Sequence, residues 1–246
     1  TFYQILVNTL LANVTNMTVW FAMIFFIYLE TQSVTATSVV SGIYLVATAT
    51  SGIWFGSLVD HNKKKNVMLL SGFISLIIYA IGFVVYISAP AETWKNPTST
   101  TLWVFVPLLL LGVIAGNLRS IALPTLVTIL IPEDSRDKAN GLVGTTTGII
   151  FLITSAISGF LVAHSGMYLV LILAMVVMAL SIVHLFVMEI PEKEIVHLDG
   201  LPGKVDLRGT FAVVVAIPGM IALIFFTTFN NFLGGVFMGL MDAYGL

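Results

Sequence analysis

The sequence predicts an all-α membrane protein, a bundle of transmembrane helices, and two observations carry that prediction. The first is composition: 58% of the 246 residues are hydrophobic and only 9% are charged, against about 25% charged in soluble domains. The mean hydropathy is +1.05, so most of the chain is apolar all round, as lipid-embedded helices require. The second is distribution. Charged residues gather in short clusters, and the apolar runs between them reach the roughly 20 residues that a helix needs to cross a bilayer. A charge at the centre of such a helix costs about 2.5 to 3.5 kcal/mol, so the clusters mark the ends of the spans.

Read in order, these clusters delimit seven spans. Phe2 to Leu29 is the first and closes at Glu30; the second runs from Thr37 to Val59 and closes at Asp60. The third covers Val67 to Ser88, and after a polar stretch, Pro90 to Thr101, the fourth begins at Leu102. Ala139 to Met188 is too long for one helix; His164, Ser165 and Gly166 mark a tight turn, so it reads as spans five and six. Residues 189–209 are polar, contain Pro191 and Pro202, and read as a linker. The seventh span covers Thr210 to Met241. The expected organisation is a six-helix bundle over 1–188, a linker over 189–209, and over 210–246 the first helix of a second bundle. Both ends fall in or near apolar runs, so a fragment of a longer chain is expected, with the rest of the second bundle missing.

Basic residues orient the bundle. Lys63, Lys64, Lys65, Arg119, Arg136, Lys138, Lys193, Lys204 and Arg208 all fall on one side and Lys95 alone on the other. The first side is therefore expected to be cytoplasmic, together with the start of span one and the linker, in a multi-pass cytoplasmic (inner) membrane protein.

Other classes are excluded by what is missing. Twelve acidic and ten basic residues give a net charge of −2, so no basic surface for nucleic acid is present, and the absence of cysteine removes disulfides, thiolate metal sites and cysteine nucleophiles. No P-loop and no His-Glu-x-x-His pattern occurs. No catalytic residue, metal site or cofactor is expected, and the four histidines form no metal set.

The turn between spans two and three reads Gly56-Ser57-Leu58-Val59-Asp60-His61-Asn62-Lys63-Lys64-Lys65. A glycine near the end of a span permits close helix approach, an aspartate there can cap the following turn or face a helix N-terminus, and the lysines hold the turn on the cytoplasmic side. This stretch resembles the Gly-x-Leu-x-Asp-Arg-x-Gly-Arg-Lys loop of the major facilitator superfamily. Gly56, Leu58, Asp60 and Lys65 match it and Lys64 keeps the charge, while His61 and Lys63 depart from the usual Arg and Gly. A second stretch, Arg119 followed by Pro124-Thr125-Leu126-Val127 and by Pro132 through Arg136 to Gly141, resembles the region between spans four and five in drug, macrolide and siderophore exporters of that superfamily.

The resemblance implies a secondary active transporter working by alternating access, in which two bundles rock about a central site. It implies proton-coupled efflux of a small amphipathic or hydrophobic solute, with uptake, or a non-transporting receptor or scaffold, as alternatives. Gly56, Leu58, Asp60, Lys64, Lys65, Arg119 and Arg136 would form an inner gate; Arg119 could equally snorkel to the interface. On span one, Thr9, Asn13, Asn16 and Trp20 recur at helical spacing on one face, which places them in a cavity wall or in interhelical hydrogen bonds. Span five carries Gly141, Gly144, Gly148, Ser155 and Gly159, a small-residue pattern suited to close packing, but lacks the proline that exporters often have there. No acidic residue lies mid-span. Glu30 and Asp242, at the outer ends of spans one and seven, are either proton-coupling groups or interfacial markers. The expected partners are the solute, protons, the lipid bilayer and the missing bundle.

Overall fold

The computed structural model describes residues 2–192 and 207–244, with side chains for 2–192, 209 and 211–234. Most of the 189–209 linker, including Lys193 and Lys204, and the side chains of Arg208 and Asp242 lie outside the described residues. The chain divides into two compact units, Thr1–Asp199 and Gly200–Leu246.

Every described element is helical. In the first unit these are α1 (Phe2–Thr31), α2 (Val34–His61), α3 (Lys64–Ser88), the short α4 (Glu92–Lys95), α5 (Thr100–Leu130), α6 (Arg136–Ser165) and α7 (Met167–Val187), with a 3-10 turn at Glu133–Ser135. Six helices among the described residues are long and apolar enough to cross a membrane: α1, α2, α3, α5, α6 (taken with its 3-10 turn) and α7. They match the first six predicted spans. The breaks fall where the charges and turn residues placed them, at 32–33, 62–63, 131–135 and at Gly166. Gly166 takes φ +58°, a conformation open to glycine at little cost, and so allows α6 to reverse directly into α7.

Burial sorts the helices into a spine and a periphery. In the most apolar stretch of α5, 61% of residues are buried and in α1 56%, against 6% in α2. Lateral packing joins α3 to α5 and α7, and α1 to α5, α6 and α7. The closest seam is α3 against α5, where Ser71 and Ser75 donate to the carbonyls of Ala115 and Gly112 at 2.8 Å each. Small residues let the backbones approach there. The small-residue pattern on α6 was expected to do the same, but Gly141, Gly144 and Gly148 have nothing within 4 Å of a built Cβ. Their face is left open by the bundle.

At the end of the bundle opposite the Gly56–Lys65 turn, α4 tucks Trp94 among Phe26, Tyr86 and Phe105, with ring centroids 5.7, 5.4 and 5.0 Å away. Trp94 is buried although it sits in a connecting segment. The Lys95 ammonium is held above its ordinary pKa by its hydrogen bond to Glu92 at 2.8 Å, with a smaller contribution from Glu30.

In the second unit the structure corrects the sequence. The predicted seventh span is broken: α8 (Leu207–Ala216) stops before Pro218, Gly219 takes φ 81°, and α9 (Met220–Tyr244) begins anew. Proline has no N–H for the helix ladder, and the left-handed glycine turns the backbone out of register. The uninterrupted apolarity of the stretch masked that turn signal.

Candidate functional site

The Gly56–Lys65 turn lies where α2 ends and α3 begins. α5 and α7 also end at this side of the bundle, so the carbonyl ends of three helices meet there. Such ends carry unsatisfied C=O groups and a partial negative charge, which cations stabilise. The basic residues meet this demand. Lys65 Nζ donates to the carbonyls of Met188 at 2.6 Å and Phe186 at 3.1 Å, closing the end of α7. Arg136 donates from Nη2 to Thr128 at 2.9 Å and from Nε to Ile131 at 3.2 Å, closing the end of α5. Lys64, buried, donates to Asn62 at 3.2 Å just past α2.

The converse demand, free N–H groups at the start of α3, is met by Glu192. One carboxylate oxygen accepts from the Lys64 amide at 2.6 Å and the other from the Lys65 amide at 2.8 Å. This is a charged cap delivered from 128 residues away. Asp60, for which a capping role was one expectation, instead lies exposed in the last turn of α2, with no hydrogen bond or ion pair among the described residues. A Cβ on Gly56 would meet nothing within 4 Å, and Leu58 packs at the edge of the lower apolar cluster.

Arg119 does not snorkel. It is the largest fully buried side chain, at 0% exposure, enclosed by α1, α3, α5 and α7. Its Nη1 donates to Asn8 Oδ1 at 2.6 Å and to Ser181 Oγ at 3.0 Å. The guanidinium leaves Asn8 no choice of amide orientation: with Oδ1 facing a cation, Nδ2 must point away, where it donates to the Ser181 carbonyl at 2.7 Å and meets His184 Nδ1 at 3.1 Å. That contact makes His184 Nδ1 an acceptor, so its ring proton sits on Nε2. Gly72 makes the space, since a Cβ there would come within 2.8 Å of Arg119 Nη2 and 2.9 Å of Ile182. Nε and Nη2 have no hydrogen-bond partner, and no carboxylate contacts the group among the described residues. An interior cation without a counterion is costly and marks a functional candidate.

The α1 face splits in two. Thr9 and Asn16 are buried in the bundle; Asn16 Oδ1 accepts from Tyr79 at 2.7 Å, and its amide lies against Gly116. Asn13 and Trp20 are half-buried, and Trp20 stacks on Tyr44 of α2 with ring centroids 4.0 Å apart. Glu30 is half-buried at the opposite end of α1, far from the Gly56–Lys65 turn, and the Asp242 side chain lies outside the described residues. The structure thus groups Lys64, Lys65 and Arg136 at one end, buries Arg119 apart from them, and leaves Asn13 and Trp20 on a partly open face.

Asn8, Ser181, His184 and Glu192 were missed by the sequence reading. A polar triad at Asn8, Arg119 and Ser181 would have followed from asking which partners a buried arginine needs, but the helix rotations that align them are invisible in one dimension. Chemically, the assembly can hold charge and hydrogen bonds within a membrane. No curated protein and no solved structure matches the chain. The family model of the Major Facilitator Superfamily matches residues 5–246, nearly the whole length, and with six membrane-spanning helices and the Gly56–Lys65 turn in place, the chain belongs to the Major Facilitator Superfamily of membrane transporters.

Proposed function

We propose that this transporter moves a small amphipathic or hydrophobic solute outward by alternating access, coupled to protons. The observation that carries the reading is the pair of uncovered faces on α2 and α6. Gly42 and Gly52 on the one and Gly141, Gly144 and Gly148 on the other have nothing within 4 Å of a built Cβ. Exposed Thr50, Thr145 and Thr147 share these helices and bond back to their own backbone carbonyls, at 2.9, 2.9 and 2.8 Å. Small, internally satisfied faces suit helices that must slide against a second bundle, since they offer close approach without fixed polar bonds to break. Half-buried Asn13 and Trp20 would line the cavity between bundles, with Thr9 and Asn16 behind them.

In this reading the inner gate comprises Gly56, Leu58, Asp60, Lys64, Lys65, Arg119 and Arg136. Asp60 is its free carboxylate, able to meet a helix N-terminus of the second bundle when the inner side closes. Glu30 and Asp242 are the candidate proton carriers. Export is favoured by the Arg119 to Gly141 stretch. Flux in proteoliposomes made with the full-length protein, with and without a pH gradient, tests direction and coupling together. Asp60→Asn is expected to cut flux about tenfold, the effect of removing about 1.4 kcal/mol from one of two states, with melting temperature and solute affinity little changed. Wild-type flux in that variant would reduce Asp60 to an end marker.

A further inference from the structure

The protein partners of Arg119 gather at one corner of its guanidinium. Nη1 alone donates, to Asn8 Oδ1 at 2.6 Å and Ser181 Oγ at 3.0 Å. Both partners are neutral and already engaged: Asn8 Nδ2 donates to the Ser181 carbonyl at 2.7 Å, and the Ser181 hydroxyl to the Asn8 carbonyl at 3.4 Å. Nε and Nη2 have no partner among the described residues. Their N–H bonds run side by side along one edge of the planar group, the edge with which an arginine makes a two-point contact to an anion. At 0% exposure, that edge cannot turn to solvent.

No described carboxylate shares its level. Arg119 lies about three turns inside α5, which ends at Leu130, whereas every described acidic residue sits in the first or last turn of a helix or in a connecting segment. The wall beside Nη2 is tight as well: a Cβ at Gly72 would come within 2.8 Å of that atom and 2.9 Å of Ile182, and the neighbouring Ser71 is turned to the Ala115 carbonyl at 2.8 Å. A counterion must therefore come from solution and must be compact.

We infer that the free edge of Arg119, Nε and Nη2, binds one small monovalent anion, chloride, as a counterion inside the first bundle. A single ion on that edge accepts from both N–H groups at once and cancels the one charge that the helices enclose. Charge and size each select it. Water would satisfy the N–H groups but leave the charge, and a divalent sulfate would replace an excess positive charge by an excess negative one in the same low-dielectric surroundings. An organic carboxylate matches the edge with its head, but its carbon chain would have to displace the packed wall of Gly72 and Ile182. The way in is from the side where α7 ends: His184, one turn from that end, is half-buried and meets Asn8 at 3.1 Å, so the polar group continues from Arg119 toward water.

The test uses the full-length protein purified in detergent, at fixed pH and ionic strength, with gluconate as the reference anion. Binding of radiolabelled chloride is measured by equilibrium dialysis alongside thermal unfolding. One chloride per chain is expected, with a melting temperature that rises saturably as chloride replaces gluconate; at about ten times the half-saturating concentration the unfolding equilibrium shifts about tenfold toward the folded state. Bromide should substitute for chloride and sulfate should not. Arg119→Gln, which keeps a polar side chain without the charge, should abolish chloride binding. Where that variant fails to fold, Asn8→Asp decides: a carboxylate at Nη1 supplies the counterion from the chain itself, so bound chloride and the chloride-dependent rise should both be lost. Lys95→Gln, at the other end of the bundle, should change neither. Absence of bound chloride, chloride retained by Arg119→Gln or by Asn8→Asp, or equal stabilisation by sulfate overturns the assignment. Neither readout involves transport, so the result is independent of direction, solute and proton coupling.

Discussion

Arg119 is a full charge in the interior of a membrane bundle, and its main acceptor is a neutral amide. Neutral hydrogen bonds between membrane helices average only about 0.6 kcal/mol, but stranding a buried cation costs several times that. Asn8→Ala should therefore destabilise the protein by about 2 to 4 kcal/mol, whereas Asn8→Asp, which gives the guanidinium a counterion but sets its second oxygen against the Ser181 carbonyl, should destabilise it less. Thermal unfolding of the purified variants gives both answers, and equal destabilisation by Ala and Asp would mean that shape rather than charge governs the site. Arg119 stood out in the sequence because a cation inside an apolar run is anomalous by itself. Its partners did not, because Asn8, Ser181 and His184 are unremarkable until three helices are rotated into register. The α1 face illustrates the same limit: helical spacing puts Thr9, Asn13, Asn16 and Trp20 on one side, yet it does not tell that Thr9 and Asn16 are buried while Asn13 and Trp20 are only half-buried.

Among the elements, bounds were legible because charges and turn residues exclude themselves from hydrocarbon; α2 ends one residue after Asp60 and α6 turns at Gly166. Capping was less legible. The α3 N-terminus has no side-chain cap of its own, and Glu192 supplies it from beyond α7. Replacing Glu192 by Ala should expose the amides of Lys64 and Lys65 at a cost of about 1 to 2 kcal/mol. Amide hydrogen exchange should quicken in the first turn of α3 and stay unchanged in its centre; unchanged exchange at both places would refute the cap. Glu192→Gln, with one acceptor oxygen instead of two, should fall between. The broken seventh span went unread because hydropathy averages over a window in which Pro218 and Gly219 are only two residues.

For the whole molecule, the asymmetry of basic residues predicts which side faces the cytoplasm, and the chain's lack of cysteine makes it a clean background for labelling. Single cysteines at position 63, exposed beside the inner turn, and at position 92, exposed in α4, separate the alternatives. An impermeant thiol reagent applied to intact cells should modify position 92 and spare position 63; the reverse would invert the topology. Position 64 is unsuitable because its side chain is buried.

The packing order has a consequence for how the protein is made. Chains leave the ribosome N-terminal end first, so α1 enters the bilayer early with Asn8, Thr9 and Asn16 on it. Its lateral partners are chiefly α5, α6 and α7, and among the described residues Asn8 finds its side-chain partners on α5 and α7. Asn16 meets Tyr79 once α3 is made, but through the synthesis of more than a hundred further residues Asn8 has no settled neighbour, while α2 inserts beside it and contributes little. A nascent α1 must therefore linger at the insertion machinery or hold water in the membrane until α7 arrives, and that waiting period is when quality-control proteases can reach it.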